Sequence, residues 1–370
     1  MVDAFAEVVL PAHPIAETVA FFRKIGFRLD EIRPADAPQS AALSGFGTRL
    51  RLETQMGPAP ASLLRLRVPA NQLAKPATAP NGTRIEFAPL VEPALEPPAP
   101  TPTVVVHRCE RPTKDGQTAW GTGRAGMHYR DLIPNRLGGA WIASHIRIPD
   151  GGPVPDDVHF HEIHSQLIYC VTGEVQLVYE DQGEPFWMRA GDCVVQPPRI
   201  RHRVLTCSDG LEVIELASPA EHPTKLDHDL QLPNGRIDRG RLFDGQRFHH
   251  FQAAAAAAGQ SAPGPQNLGL HAATAGRIDG DVCSAVDLAK HDGTAFARHC
   301  EQTTFAFVLK GSCRLEIRDA TENPDANRAD SESATELARC DAFSVPAGTR
   351  YRLSHASDEL RLLRFRLALA

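Results

Sequence analysis

Apolar and polar positions along this chain change rhythm several times. In the first 90 residues, an apolar run at 5–10 is followed by helical spacing, with Ile15, Val19, Phe22 and Ile25 on one stripe and Gly26 as the stop. Strand-like runs follow at 27–32, 48–53, 63–68 and 83–87. The order strand, helix, several strands predicts a small α+β unit rather than a parallel α/β one. Further along, short β-rich runs punctuated by glycine and proline occur at 140–148, 166–171, 174–179, 192–196, 203–206 and 211–216. The plan repeats at 303–309, 312–317, 342–345, 351–354 and 360–367. That spacing predicts two all-β sandwiches or barrels, so the chain as a whole is expected to be mainly β.

Two stretches lack any periodicity. The segment PLVEPALEPPAPTPT (89–103) is too rich in proline for helix or central strand and reads as a stiff linker. Residues 251–265 hold six consecutive alanines, able to form a short helix, then Gly, Ser and Pro. The expected organisation is therefore an α+β unit (1–90), a proline-rich linker (91–104), a first β block (105–250), a second linker (251–265) and a second β block (266–370).

Composition narrows the class. A net charge of -6 with 23% charged residues gives no general attraction for nucleic acid or anionic lipid, and no basic stripe or DNA-binding helix pair is present. No run approaches the ~18 apolar residues of a membrane span, and the first residues, MVDAFAEVVLPAH, lack the pattern of a secretory signal. The eight cysteines are scattered without a C-x-x-C pair, as expected for reduced, mostly buried thiols in a cytoplasmic protein.

The chemistry is concentrated in HFHEIHSQLIYCVTG (159–173) and GDCVVQPPRIRHRV (191–204). Side chains alternate faces along a strand, so His159 and His161 point one way and Phe160 the other. If that parity resumes after the turn at 162–165, Gln166, Ile168 and Cys170 also face inward, and Gln196 shares the sense. A second strand pair returns His202 after Pro197-Pro198. Three imidazoles converging in a barrel mouth suit Fe(II), Mn(II), Zn(II), Ni(II) or Cu(II) and leave coordination positions open for substrate, water or dioxygen. By the same parity His164 is a loop residue, and Arg201 and Arg203 point away. His145, His222, His228, His249 and His250 are expected at the surface or as caps.

These two segments resemble the cupin signature. Its H-x-H falls on His159 and His161, and Gly173, Gly191, Pro197 and His202 match its other fixed positions. Gln166 stands where the family has a glutamate ligand, and Arg199 where it has a glycine. The resemblance implies a metal site of His159, His161 and His202, with Gln166 as fourth ligand or as a catalytic hydrogen-bonding group beside metal-bound water. The last block lines up with the same template but has lost it: Ala297 and His299 take the H-x-H, Thr304 the glutamate and Tyr351 the last histidine. The chain thus resembles a bicupin (double-stranded β-helix, jelly-roll barrels) with one live and one silent barrel. Adjacent His299 and Cys300 fall on opposite strand faces, which argues against a nucleophilic pair. The first 90 residues, through EVVLPAHPIAETVAFFRKIGFRLDEI and NGTRIEFAPL, resemble a glyoxalase-type (vicinal oxygen chelate) domain whose second module lacks its helix. That family's metal positions fall on Glu7 and Glu86, a weak pair for a transition metal, so the unit is expected to be a degenerate remnant.

The resemblance to iron-dependent cupins with three histidines implies a non-haem Fe(II) dioxygenase cleaving a C–C bond of a small phenol, hydroxy acid or diketone, with O2 as co-substrate. Two alternatives remain open. One is a non-redox isomerase or hydrolase using zinc, manganese or nickel; the other is a non-catalytic bicupin that binds a small ligand. Neither nucleic acid nor membrane is an expected partner, and cupins admit a homodimer through exposed sheet edges.

Overall fold

The computed structural model describes residues 5–12, 14–24, 27–45, 48–54, 63–78, 84–90, 96–109, 120–259, 264–291, 297–298, 302–318 and 332–368. Its first strand, Phe5–Pro11, feeds the helix Ile15–Lys24, then Arg28–Arg33, Ser40–Gly45 and Thr48–Glu53, a βαβββ order. Phe5–Pro11 runs parallel to Thr48–Glu53 and antiparallel to Leu63–Val68, which in turn pairs with Arg84–Pro89. Ile15, Val19 and Phe22, three of the predicted helical stripe, pack on Leu29, Leu43, Leu50 and Leu52 of the sheet; Ile25 lies outside the described residues. Alternation along Phe5–Pro11 puts Val8 and Leu10 against this core, whereas Glu7, also buried, faces charged partners.

The first barrel consists of two sheets. One contains Phe186–Arg189, Glu174–Tyr179, His202–Cys207, His159–His161 and Thr224–Leu226, in that order. The other runs His249–Phe251, Cys193–Val195, Ser165–Thr172, Leu211–Ser218, Ile142–Ile148, His128–Asp131 and Gly121–Thr122. The first of these does not end at Thr224–Leu226. That strand pairs antiparallel with Arg28–Arg33, so the barrel sheet and the N-terminal sheet form one sheet, of 13 strands among the described residues.

The second barrel repeats the plan. Gln266–Asn267, Ile278–Ser284, Arg361–Ala368, Gln302–Lys310 and Ala342–Val345 form one sheet; Ala297–Arg298, Arg350–Ser354, Ser312–Arg318 and Glu332–Ala338 form the other. The outermost strand of the former comes from far away: Val105–His107, just after the proline-rich segment, pairs with Ala342, Phe343 and Ser344. The alanine run forms the helix Ala253–Gly259. Between the barrels lies a shared apolar core in which Leu132, Trp141, Leu167 and Leu216 meet Phe305, Phe307, Leu363 and Phe365. Each such side chain, fully buried, contributes roughly 1.5–3 kcal/mol, so the barrels are joined by packing as well as by chain. No helix of the described residues is long and apolar enough to cross a membrane.

Candidate metal centre

His159 and His161 lie on the three-residue strand His159–His161, with Phe160 turned the other way under the Arg201 guanidinium. His202 opens the neighbouring strand directly opposite His159. All three imidazoles are buried, and one ring nitrogen from each falls within a 4.8 Å cluster, the only such group among the described residues. Ring centroids are 4.2 Å apart for His159 and His202, and 5.2 Å for each other pair.

The orientation of each ring is fixed from behind. His159 Nδ1 donates to the Asp157 carbonyl at 2.8 Å and His202 Nδ1 to the Ile200 carbonyl at 3.0 Å. His161 Nδ1 is 2.9 Å from Thr224 Oγ1. Occupying Nδ1 in this way leaves Nε2 as the atom able to coordinate, an arrangement in which outer hydrogen bonds set the tautomer of a histidine. Burial depresses the basicity of all three: His202 drops to about 4, and His159 and His161 fall well below the ordinary histidine range. They are therefore neutral at pH 7, as ligation demands. Tyr179 stacks on His202 and backs the cluster with apolar surface.

A cavity of about 90 Å³ opens beside the three rings. That is several times the ~10–15 Å³ that one water requires. Ile146, Ile168, Leu177, Met188, Val204 and Val213 give it an apolar wall, interrupted by Arg124, Gln166, Gln196, Glu215 and His222. Arg124 pairs with the buried carboxylate of Asp156, whose other oxygen accepts from the Val204 N–H. Its Nη2 lies 2.9 Å from His159 Nε2. A guanidinium can only donate, so that nitrogen is an unprotonated acceptor, the state a metal ion would also require.

Gln166 Nε2 donates to Glu215 Oε1. Its amide oxygen is buried and has no hydrogen-bond partner, as is Gln196 Oε1. Buried acceptors without a protein partner on the wall of such a cavity fit a cation or a donor group there. Together with three neutral imidazoles, the donor set suits a first-row divalent metal. Burial raises Glu215 to about 7.

Other residues singled out in the sequence fall as follows. Gln166, Ile168 and Gln196 line the cavity. Cys170 is packed in the barrel core with its thiol toward the carbonyls of Thr172 and Gly173, and is not among the lining residues. His164 lies off the site and accepts from Arg277. His145, expected at the surface, is instead buried between Arg130 and Glu212, away from the cavity, because its strand is covered on that face. Arg201 pairs with Asp227, away from the cavity. Glu7 and Glu86 are held by arginines: Arg51 binds Glu7 at 3.3 Å, and Arg65 binds Glu86 at 3.0 Å while reaching Glu7 at 3.8 Å. In the second barrel Ala297 sits opposite Tyr351 just as His159 sits opposite His202. Tyr351 is buried against Phe343 in an apolar interior, and Thr304 is buried. His299 and Cys300 lie outside the described residues.

Four polar residues at the site escaped the sequence reading. His222, expected at the surface, is buried on the cavity wall with its ring 5.5 Å from that of His161. Glu215 had a readable signal, a carboxylate on the same parity as the apolar Leu211 and Val213. Arg124 and Asp156 had none, because Arg124 comes from a single 3-10 turn and Asp156 from irregular chain.

Fold and site define a two-barrel β protein with one three-histidine centre. Residues 144–216 match the family model of the cupin domain, which places a cupin domain in the first barrel. Among curated proteins, none matches the chain. Solved structures with some likeness include an oxalate decarboxylase studied for proton-coupled electron transfer, at 11% identity and TM-score 0.45, over 66% of this chain and 74% of that one. Others are the Lactobacillus farciminis oxalate decarboxylase formate complex (9%, TM-score 0.44, 68% and 84%) and Bacillus subtilis oxalate decarboxylase at pH 4.6 (12%, TM-score 0.41, 67% and 74%).

Proposed function

We propose that this chain is a mononuclear metal-dependent cupin enzyme. In this reading His159, His161 and His202 hold a divalent transition metal, Fe(II) favoured over Mn, Zn, Ni or Cu, and the reaction cleaves a C–C bond of a small phenol, hydroxy acid or diketone with O2. The observation that carries it is the convergence of three neutral, back-bonded imidazoles on one wall of a small cavity. Bound there, Fe(II) would supply the one-electron chemistry that dioxygen requires and a Lewis acid for two substrate oxygens.

The chain's own groups suit such a substrate. Arg124 offers a guanidinium to an anionic oxygen, and a metal taking the His159 lone pair would release Nη2 for that contact. Glu215, poised near neutrality, can take a proton from a substrate hydroxyl. Gln166 is a fourth ligand or a hydrogen-bonding group through its unpartnered oxygen. Apolar side chains line the rest of the cavity. The N-terminal unit is read as a glyoxalase-type half whose carboxylates have been taken over by ion pairs, and the second barrel as a silent cupin. A non-redox isomerase or hydrolase is the second reading; Glu215 as a neutral-range acid–base group favours it.

Anaerobic purification with elemental analysis, then oxygen-uptake assays on catechols, gentisates and diketones, tests the proposal. His159→Ala and His202→Ala are expected to lose most bound metal while the fold survives. Gln166→Ala should lower activity more than occupancy. Full metal content in both histidine variants would overturn the site, and zinc or manganese without oxygen uptake would favour the second reading.

A further inference from the structure

The N-terminal unit reaches the metal cavity itself. Arg28–Arg33 pairs Glu31 with Lys225 and Ile32 with Thr224, and Thr224 is in turn the partner of His161. On leaving that strand the chain crosses the barrel mouth, and Pro34, Ala35 and Asp36 become part of the wall of the cavity that contains the three histidines. This turn is fastened at both ends. The Arg124 N–H donates to the Ala35 carbonyl at 3.3 Å, and the Asp36 carboxylate pairs with Arg136 at 3.2 Å. The close approach requires Gly123: a Cβ there would come within 2.8 Å of the Ala35 oxygen and 2.5 Å of the Tyr129 ring. The Asp36 carboxylate lines the same cavity as Glu215, His222 and the three histidines.

We propose that Pro34, Ala35 and Asp36 are the substrate-selecting wall of the metal site, Ala35 limiting the size and Asp36 the charge of the bound oxygen ligand. The proposal rests on the metal reading given above. It gives the N-terminal unit a role: its own carboxylates are committed to arginines, while its turn closes a neighbour's cavity. A wall from outside the barrel can change without disturbing strand register, whereas the barrel's own cavity-facing residues are tied to it. Small differences in fill matter in a space this small, since a methylene or two shifts selectivity by roughly 10–200-fold in apolar pockets.

The full-length protein, loaded with Co(II) and titrated with azide and with catechol while the d–d absorption is followed, provides the test. In Ala35→Phe, metal content should match the parent and azide affinity stay within about twofold, while catechol affinity falls by about tenfold or more. Asp36→Asn keeps a hydrogen bond to Arg136 and should bind azide, and catechol in the form that has released a proton to solvent, roughly three- to tenfold more tightly through loss of a like charge. If both variants load Co(II) and bind both probes within twofold of the parent, the wall assignment is overturned while the metal site stands. A parent chain that takes up no Co(II) overturns both.

Discussion

Arg199 has a backbone φ of +62°, two positions beyond Pro197, where the second barrel has Gly348 at +81° two positions beyond Pro346. A left-handed conformation costs an L residue about 1–2 kcal/mol, against roughly 0.5–1 kcal/mol of extra chain entropy lost by glycine. The Arg199–Asp244 ion pair is more than half exposed and adds little. Arg199→Gly should therefore stabilise the protein by about 0.5 kcal/mol in urea titrations; a loss above 1 kcal/mol would show the ion pair outweighing the strain. Glu215 makes a second test. Its folded value near 7, against an ordinary 4.5, means the folded state keeps a proton that the unfolded chain releases as pH rises through that window. Stability from this group is thus present at low pH and lost by pH 7. In the metal-free protein, Glu215→Gln should change little at pH 4.5 and become stabilising by roughly 2 kcal/mol at pH 8, a figure reduced from the full linkage value because the carboxylate keeps some solvent contact. A variant whose advantage shrank with rising pH would refute the assignment. His202 acts in the opposite sense: its depressed value of about 4 costs stability as pH falls from 6.5. The H-x-H pair was legible because alternation within three residues is a local property of a strand. Arg124 and His222 were not, since tertiary pairing alone brings them to the cavity, nor was Asp156, which pairs with Arg124 behind it.

Thr224–Leu226 is the strand on which the site turns. It lies between the His159–His161 strand and the N-terminal Arg28–Arg33, and it presents Thr224 Oγ1 to His161 Nδ1. Thr224→Val preserves shape and strand propensity but strands that imidazole N–H. Losing an outer hydrogen bond of this type typically weakens metal binding by about 10–100-fold, while the cost to folding is about 1 kcal/mol. Competition against a chelator measures the first and urea titration the second; unchanged affinity would mean that Ile200 and Asp157 suffice to orient the cluster. Elements themselves were readable from apolar alternation, as the correspondence of the predicted run at 174–179 with Glu174–Tyr179 illustrates. Their partners were not. Nothing in residues 105–107 announces that they pair with Ala342, Phe343 and Ser344, or in 28–33 that they extend a barrel sheet, because an edge strand's choice of neighbour depends on the docking of whole units.

Continuity of the first sheet would make a response to metal at the proposed site a property of the molecule. An ion bound only when His159, His161 and His202 converge stabilises the states that contain this convergence, by about 4 kcal/mol at a thousandfold excess over Kd. Opening Thr224–Leu226 breaks both the ladder to His159–His161 and the ladder to Arg28–Arg33. Metal should therefore slow amide hydrogen exchange in Arg28–Arg33 as well as in the histidine strands. The second barrel meets the first mainly through side-chain packing around Phe305 and Phe307, and its strand Gln302–Lys310 pairs with its own neighbours. Side-chain interfaces separate at lower cost than shared backbone ladders, so local openings of that strand should remain insensitive to metal. Mass-spectrometric exchange with and without Fe(II), under anaerobic conditions, distinguishes the cases. Slowing at 28–33 with none at 302–310 is the expected result. Equal slowing in both would mean that the chain opens only as a single unit, and no slowing at 28–33 would mean that the shared sheet transmits nothing from the metal centre to the N-terminal unit.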